Sequence, residues 1–216
     1  MESAVLGSTD GGPPRDPPVE AMATDPLDGE CAQLRDGTRV RIRRAGPGDQ
    51  ARVMDFLARL SQDSLELRYF SAIRREKVAS EILATGDRGD RLSLLLETIS
   101  PDPGQVVAHG EYVRIAAFPH RAEVAFLVAD ARQGQGAATL LLWGLARRAR
   151  DAGIRRFEAV VLPDNRPMIN VFVGAGFPCS ISWHEGEGLV LLDISHEPAI
   201  SIALRDPAVV GPVGPT

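Results

Sequence analysis

The stretch that most constrains this chain is residues 122–153, AEVAFLVADARQGQGAATLLLWGLARRARDAG. It opens with an apolar run over 122–129 that is too short for a membrane and too continuous for a half-exposed strand. Such a run predicts a strand buried on both faces. A polar loop follows, with Gly134 and Gly136 two positions apart. After it Ala138, Leu141, Leu142, Leu145, Ala146 and Ala149 fall on one side of a helix over about 135–152. Gly153 is the natural residue to end that helix. A buried strand feeding a helix through a glycine loop requires a sheet with helices packed on it. The first N–H groups of a helix have no intrahelical acceptor and sit at the positive end of its dipole. Glycines let that backbone approach an anion without a Cβ in the way. The loop therefore reads as a phosphate cradle, with a simple turn into a packed helix as the alternative.

The pattern outside this stretch fits the same class. Residues 38–44, TRVRIRR, alternate as a half-buried strand, and Val53, Phe56, Leu57 and Leu60 mark one face of a helix. A second helical region is expected over about 63–85, ending near Gly86. Strands are expected over 91–99 and 105–115, joined by the turn SPDPG, and over 155–162. A short helix covers 165–177, and a closing hairpin turns at Gly186–Gly188. The sum is an α/β fold, a mixed sheet with helices on its faces. Residues 1–33 are rich in Pro, Gly and Asp and read as a disordered tail. Residues 34–196 form the folded domain, and 197–216 read as a C-terminal tail or linker.

Two familiar phosphate motifs do not fit the loop. A P-loop needs a lysine after its last glycine, and the chain's only lysine is Lys77. A dinucleotide fingerprint needs a third small residue where Thr139 stands.

The segment Gln133-Gly134-Gln135-Gly136-Ala137-Ala138 resembles the Q/R-x-x-G-x-G/A signature of the GNAT N-acetyltransferase superfamily. The strand AEVAFLVAD before it and NRPMINVFVGAGF after it fit the same pattern. The opening LRDGTRVRIRRAGPGDQARVMDFLARLSQDSLELRYFS resembles the bacterial Pat-like protein lysine acetyltransferases, including modules fused to acyl-CoA synthetase-like domains. The resemblance covers residues 34–195. It implies a mostly antiparallel sheet with one splayed strand pair, and acetyl-CoA as co-substrate. It assigns the diphosphate of CoA to Gln133, Gly134, Gln135, Gly136, Ala137, Ala138 and Thr139; on charge alone, Arg132 is a further cation for the rim. It assigns the pantetheine arm to the backbone of Phe126, Leu127 and Val128, and a further contact to Asn165. It makes Glu123 the general base. Glu123 is also the only acid between Arg121 and Asp130, and partial burial at the strand's start would raise its pKa; the plainer readings are a strand-end carboxylate in water or one paired with Arg121. One position departs from the family: where many members carry a tyrosine that protonates the leaving thiolate, this chain has Phe172. His120, three residues before Glu123, is expected to be a loop residue rather than a second base.

The implied function is acetylation of protein lysines, acyl-CoA synthetases among them. A small-amine acetyltransferase on the same fold, or a non-catalytic CoA-binding regulatory module, are the alternatives. A net charge of -5 argues against nucleic acid as a partner. No apolar run reaches the ~20 residues of a membrane span. Two distant cysteines, Cys31 and Cys179, point to neither a metal site nor a disulfide framework, and to a cytoplasmic setting.

Overall fold

The structure is a computed structural model and describes residues 29–71, 73–84 and 89–199. Among the described residues eight strands form one sheet: β1 (Glu30–Gln33), β2 (Arg39–Arg44), β3 (Arg91–Ser100), β4 (Val106–Ile115), β5 (Phe118–Val128), β6 (Arg156–Val161), β7 (Cys179–His184) and β8 (Glu187–Asp193). Their order across the sheet is β1-β2-β3-β4-β5-β6-β8-β7. All neighbours are antiparallel except β5 and β6, which run parallel. Among the described residues there are five α-helices: α1 (Gln50–Ala58), α2 (Gln62–Tyr69), α3 (Arg75–Leu83), α4 (Ala137–Asp151) and α5 (Arg166–Gly174). The mixed α/β architecture is the one expected.

Each face of the sheet has its own core. On one face Leu92, Leu94, Leu96, Val124 and Phe157 pack under α4 and α5. On the other, α1 and α3 bury Val53, Phe56, Leu57, Val78 and Ile82 against Leu95, Val106 and Leu127. The central strand β3 lies beneath both layers, which is why its burial shows no alternation. Gly110 on β4 permits the closest packing in the molecule's centre. A Cβ there would lie 2.9 Å from the Phe126 ring and 3.2 Å from Leu141 Cβ.

Several boundaries differ from those expected. The helical region over 63–85 is two helices. Phe70 takes a left-handed conformation (φ 56°) and closes α2, its N–H donating to Glu66 O. Gly86 lies outside the described residues. Residues 30–33, assigned to the tail, form β1 and pair with β2. Glu30 is buried there and accepts from Arg147, contacts too long in range to leave a local signal. The helix after the glycine loop starts at Ala137, and the hairpin turns at Glu185–Gly186, one residue early, through two positive φ angles. The expected strand at 122–129 begins at Phe118 and is not buried on both faces: Glu123 is exposed, and Ala125 and Val128 are half-buried.

Candidate functional site

The parallel pairing of β5 with β6 is short. Arg121, Ala122 and Glu123 pair with Arg156, Phe157 and Glu158, and there it ends. Beyond Glu123 the two strands part, and Val124 to Val128 keep only β4 as a neighbour. This parting explains the burial of β5. Its apolar run looked doubly covered because its second side faces a cleft of about 710 Å³ instead of another strand. β5 forms one wall, Ala159 to Val161 of β6 the other, and Phe172 of α5 closes the back. Phe172 is itself almost fully buried, its ring 6.1 Å from that of Phe126.

The glycine loop stands at one end of this cleft. Gln133, Gly134, Gly136, Ala137, Ala138 and Thr139 all line it, as do Phe126, Leu127, Val128 and Asn165. Gln135 does not; its carbonyl accepts from the N–H of Arg35 (3.1 Å), outside the cleft. Gly134 and Gly136 hold φ of 72° and 93°, a region that disfavours L side chains, and neither has any atom within 4 Å of where a Cβ would stand. The space in front of both is therefore open to a ligand. The loop leads into the first turn of α4, whose N–H groups lack intrahelical acceptors.

The loop is held from two sides by residues the sequence did not single out. Residues 34–38, the turn between β1 and β2, supply Arg35, whose Nη1 donates to Gly134 O (3.1 Å). They also supply Asp36 and Thr38, which together receive Arg132. Arg132 thus braces the loop, and its expected charge at the rim is neutralised by Asp36. On the other side Asp130 ties the loop to the start of α2, whose N-cap is Ser61. It accepts from Ser61 N (2.9 Å) and Ser64 Oγ (2.7 Å), and Gln133 Nε2 donates to Ser64 Oγ (3.1 Å). Burial works against ionisation of Asp130, yet those serine bonds hold its carboxyl below the usual range. Asn165 caps α5, its Oδ1 accepting from Met168 N (3.2 Å).

The far end of the cleft is made of side chains. Glu123 lies at the point where β5 and β6 part and lines the cleft mouth. The partial burial expected of it is not found: Glu123 is exposed where the β6 pairing ends. Nor does it pair with Arg121, which instead meets Glu158 (3.0 Å). Above the mouth runs α2. Its Arg68 donates to Glu111 Oε1 (2.9 Å), while Arg91 takes Oε2 (2.7 Å). Glu111 is buried on β4, opposite Ala125. Burial opposes its charge, but its charged neighbours outweigh burial and keep the carboxyl below the usual range. Behind it His109 is fully enclosed, with Nε2 2.8 Å from Ser93 Oγ, and burial pushes its pKa down to about 4. Tyr69 stacks under Arg68, 4.7 Å from ring to guanidinium, and burial pushes its phenol up to about 12.

Other candidates fall elsewhere. His120 lies outside the cleft on β5, with Nδ1 3.1 Å from Gly153 O; it is a strand residue, not the loop residue expected. Tyr112 is buried and donates to Gly89 O. Trp143 is a packing residue that donates to Ala175 O. Arg147 and Arg150 meet Glu30 and Glu197, far from the loop. Among the described residues there is no cluster of metal-ligating side chains, and no helix is long and apolar enough to cross a membrane.

A sheet that splays beside a glycine loop at a helix start is the architecture of one class of acyltransferases. The model of the Acetyltransferase (GNAT) family matches residues 60–177, over half of the chain. The chain belongs to this family. The GNAT domain of S. lividans PAT is 36% identical, with a TM-score of 0.68 over 76% of this chain and 96% of that one. Acetyltransferase Pat of Mycolicibacterium smegmatis is 28% identical over 170 residues, which are 79% of this chain and 50% of that protein. The chain thus spans half the length of that relative. Diaminobutyrate acetyltransferase EctA from Paenibacillus lautus, solved with L-2,4-diaminobutyric acid and coenzyme A, shares the fold at 20% identity and a TM-score of 0.55, over 74% of this chain and 98% of that one.

Proposed function

We propose that the chain is an acetyl-CoA-dependent N-acetyltransferase whose acceptor is the lysine side chain of a protein. The observation that carries the reading is the parting of β5 from β6 between a carboxylate, Glu123, and an N–H-lined glycine loop. A cleft of about 710 Å³ is within the range of cofactor sites. The two open glycine positions suit a diphosphate, and the unpaired edge of β5 suits an arm rich in amides. Phe126, Leu127, Val128, Gln133, Gly134, Gly136, Ala137, Ala138, Thr139 and Asn165 would hold the co-substrate. Gln135 would act through the loop's shape only.

Bound acetyl-CoA supplies an activated acyl group, and the remaining tasks fall to the chain. A lysine amine has a pKa of ~10.4, so it arrives protonated and cannot attack. Glu123, at the mouth where such an amine enters, accepts that proton directly or through a water. A β5 N–H released from sheet pairing steadies the developing negative oxygen. Phe172 offers no proton at the back of the cleft, so the thiol leaves as the thiolate. An open mouth with an exposed base favours an acceptor carried on a folded surface, and similarity to Pat points the same way.

The test is a mass-shift screen of protein and small-amine acceptors with acetyl-CoA. Acetylated protein lysines support the reading. Labelling of small amines alone replaces the acceptor class, and CoA binding with no transfer to any acceptor leaves a regulatory module.

A further inference from the structure

Resting on the reading of residues 133–139 as the diphosphate cradle, we infer that Arg35 is a donor-site residue that both orients the glycine loop and faces the diphosphate of CoA with its charge. Each peptide unit carries one donor and one acceptor, so a loop that binds an anion must turn its N–H groups in and its carbonyls away. Here the carbonyls have fixed partners. Gly134 O accepts from Arg35 Nη1 (3.1 Å), Gln135 O from the Arg35 N–H (3.1 Å), and Gly136 O from Leu140 N (3.1 Å). One residue, 99 positions upstream of Gly134, thus holds two consecutive carbonyls, once with its side chain and once with its backbone.

Arg35 is well placed to do this. Leu34 beside it is buried in the core, and the turn is closed by Leu34 N to Thr38 O (2.9 Å) and Gly37 N to Leu34 O (3.0 Å). Arg132, the other cation at the loop, is neutralised by Asp36. Among the described residues Arg35 has no carboxylate partner, and it lines the cleft. A guanidinium has five N–H donors, and the bond to Gly134 O uses one. The rest are available to phosphate oxygens, for which the planar fork is suited.

The test compares the intact chain with Arg35→Ala, Arg35→Gln and Arg35→Lys by calorimetric titration with CoA, dephospho-CoA and pantetheine, with melting temperature measured alongside. Arg35→Ala is expected to weaken CoA and dephospho-CoA alike by about 10- to 100-fold, the range for bonds to charged groups. Pantetheine, which has no phosphate, is expected to change by less than about 2-fold on the same ground. Arg35→Lys keeps the charge and Arg35→Gln keeps a donor for Gly134 O, so each falls between Arg35→Ala and the parent. Unchanged CoA affinity in Arg35→Ala overturns the inference. So does an equal loss for pantetheine, which means the whole cleft has deformed. A loss confined to CoA and absent with dephospho-CoA moves Arg35 to the 3′-phosphate and overturns the diphosphate contact. If Arg35→Ala fails to fold, Arg35→Gln and Arg35→Lys decide in the same way. If the parent chain itself binds no CoA, the cradle reading fails, whatever the variants do.

Discussion

The two ends of the cleft are built from different materials. The end proposed for the donor is backbone: two glycines with positive φ, the first turn of a helix, and a strand edge with no partner among the described residues. Its side chains brace it from outside, through Arg35, Asp36, Asp130 and Ser64. The end proposed for the acceptor is side chain: Glu123 in the open and Arg68, which with Arg91 is locked on the buried Glu111 behind it. A rigid backbone site suits a co-substrate that never changes. A site of separate side chains can be altered one residue at a time without disturbing the fold, which suits an acceptor that differs between relatives. Variants that act on one end and leave the other alone test this division.

The largest effect is expected at the acceptor end. Glu123→Gln keeps the size of the side chain and removes its basicity. It is expected to lower kcat by about 10²- to 10⁴-fold, the usual contribution of a general base. Affinity for CoA, read by calorimetry, stays within twofold (about 0.4 kcal/mol), because the cradle is ten residues away and made of backbone. Retained turnover removes Glu123 as the base. A matching loss of CoA binding shows that the two ends are not separate.

This division also governs what could be read from the sequence. The donor end was legible because its parts are contiguous. Strand, Gly134, Gly136 and helix occupy one stretch, and the glycines are there for backbone reasons that leave a mark in the chain. The apolar run of β5 was read as a doubly buried strand, the right strand with the wrong neighbour, since a ligand cleft and a second strand ask for the same side chains. The acceptor wall was only half legible. Glu123 stood out as the lone acid on its strand, but nothing local ties Arg68 to Glu111, 43 residues on, or Arg35 to Gly134. Such contacts are set by how the sheet folds up, and no periodicity carries them. Strand β1 was missed for the same reason: ECAQ has no alternation, and its place depends on β2 and Arg147.

The next effect is on stability and belongs to buried groups behind the cleft, outside its lining. His109 is enclosed with its pKa near 4, against about 6.5 when unfolded, so between these values the unfolded chain takes up the proton first. Its contribution is complete above about pH 6.5 and is lost as the pH falls towards 4, by roughly 3 kcal/mol for a shift of this size. Glu111 acts in a different window. Its pKa is lowered, so its contribution holds above the ordinary carboxylate range and fails only as the pH falls through the depressed value. Urea unfolding at pH 7.5 and pH 5 is expected to show the loss in the parent chain and a smaller one in His109→Gln. Equal losses in the two proteins assign the effect elsewhere.

At the donor end a smaller and more selective change is expected from Gly136→Ala. The new methyl meets no protein atom, but it stands where the cleft is open, on a residue at φ 93°. An L residue at that φ is strained by about 1–2 kcal/mol; the free loop relaxes away from it and binding must restore it, so CoA affinity is expected to fall by roughly tenfold. The apparent KM for the acceptor should hold, since nothing at the mouth is touched. An acceptor KM that rises as much as the CoA Kd breaks the comparison between the two ends.

The smallest effect is expected where the ends meet. Phe172 lies at the back of the cleft against Phe126, and Phe172→Tyr adds one hydroxyl to an otherwise closed wall. If loss of the thiolate needs no proton, an acid placed there has nothing to stabilise, and kcat changes by less than about threefold, or 0.7 kcal/mol. A tenfold rise reverses the argument: it means that departure of the thiol limits the rate in this chain, and that Glu123 governs the faster of two steps. The pH profile separates the cases, because a tyrosine that donates a proton adds a basic limb to kcat that the parent lacks. A variant that is merely misfolded would lose CoA binding too, and calorimetry on the same sample distinguishes it.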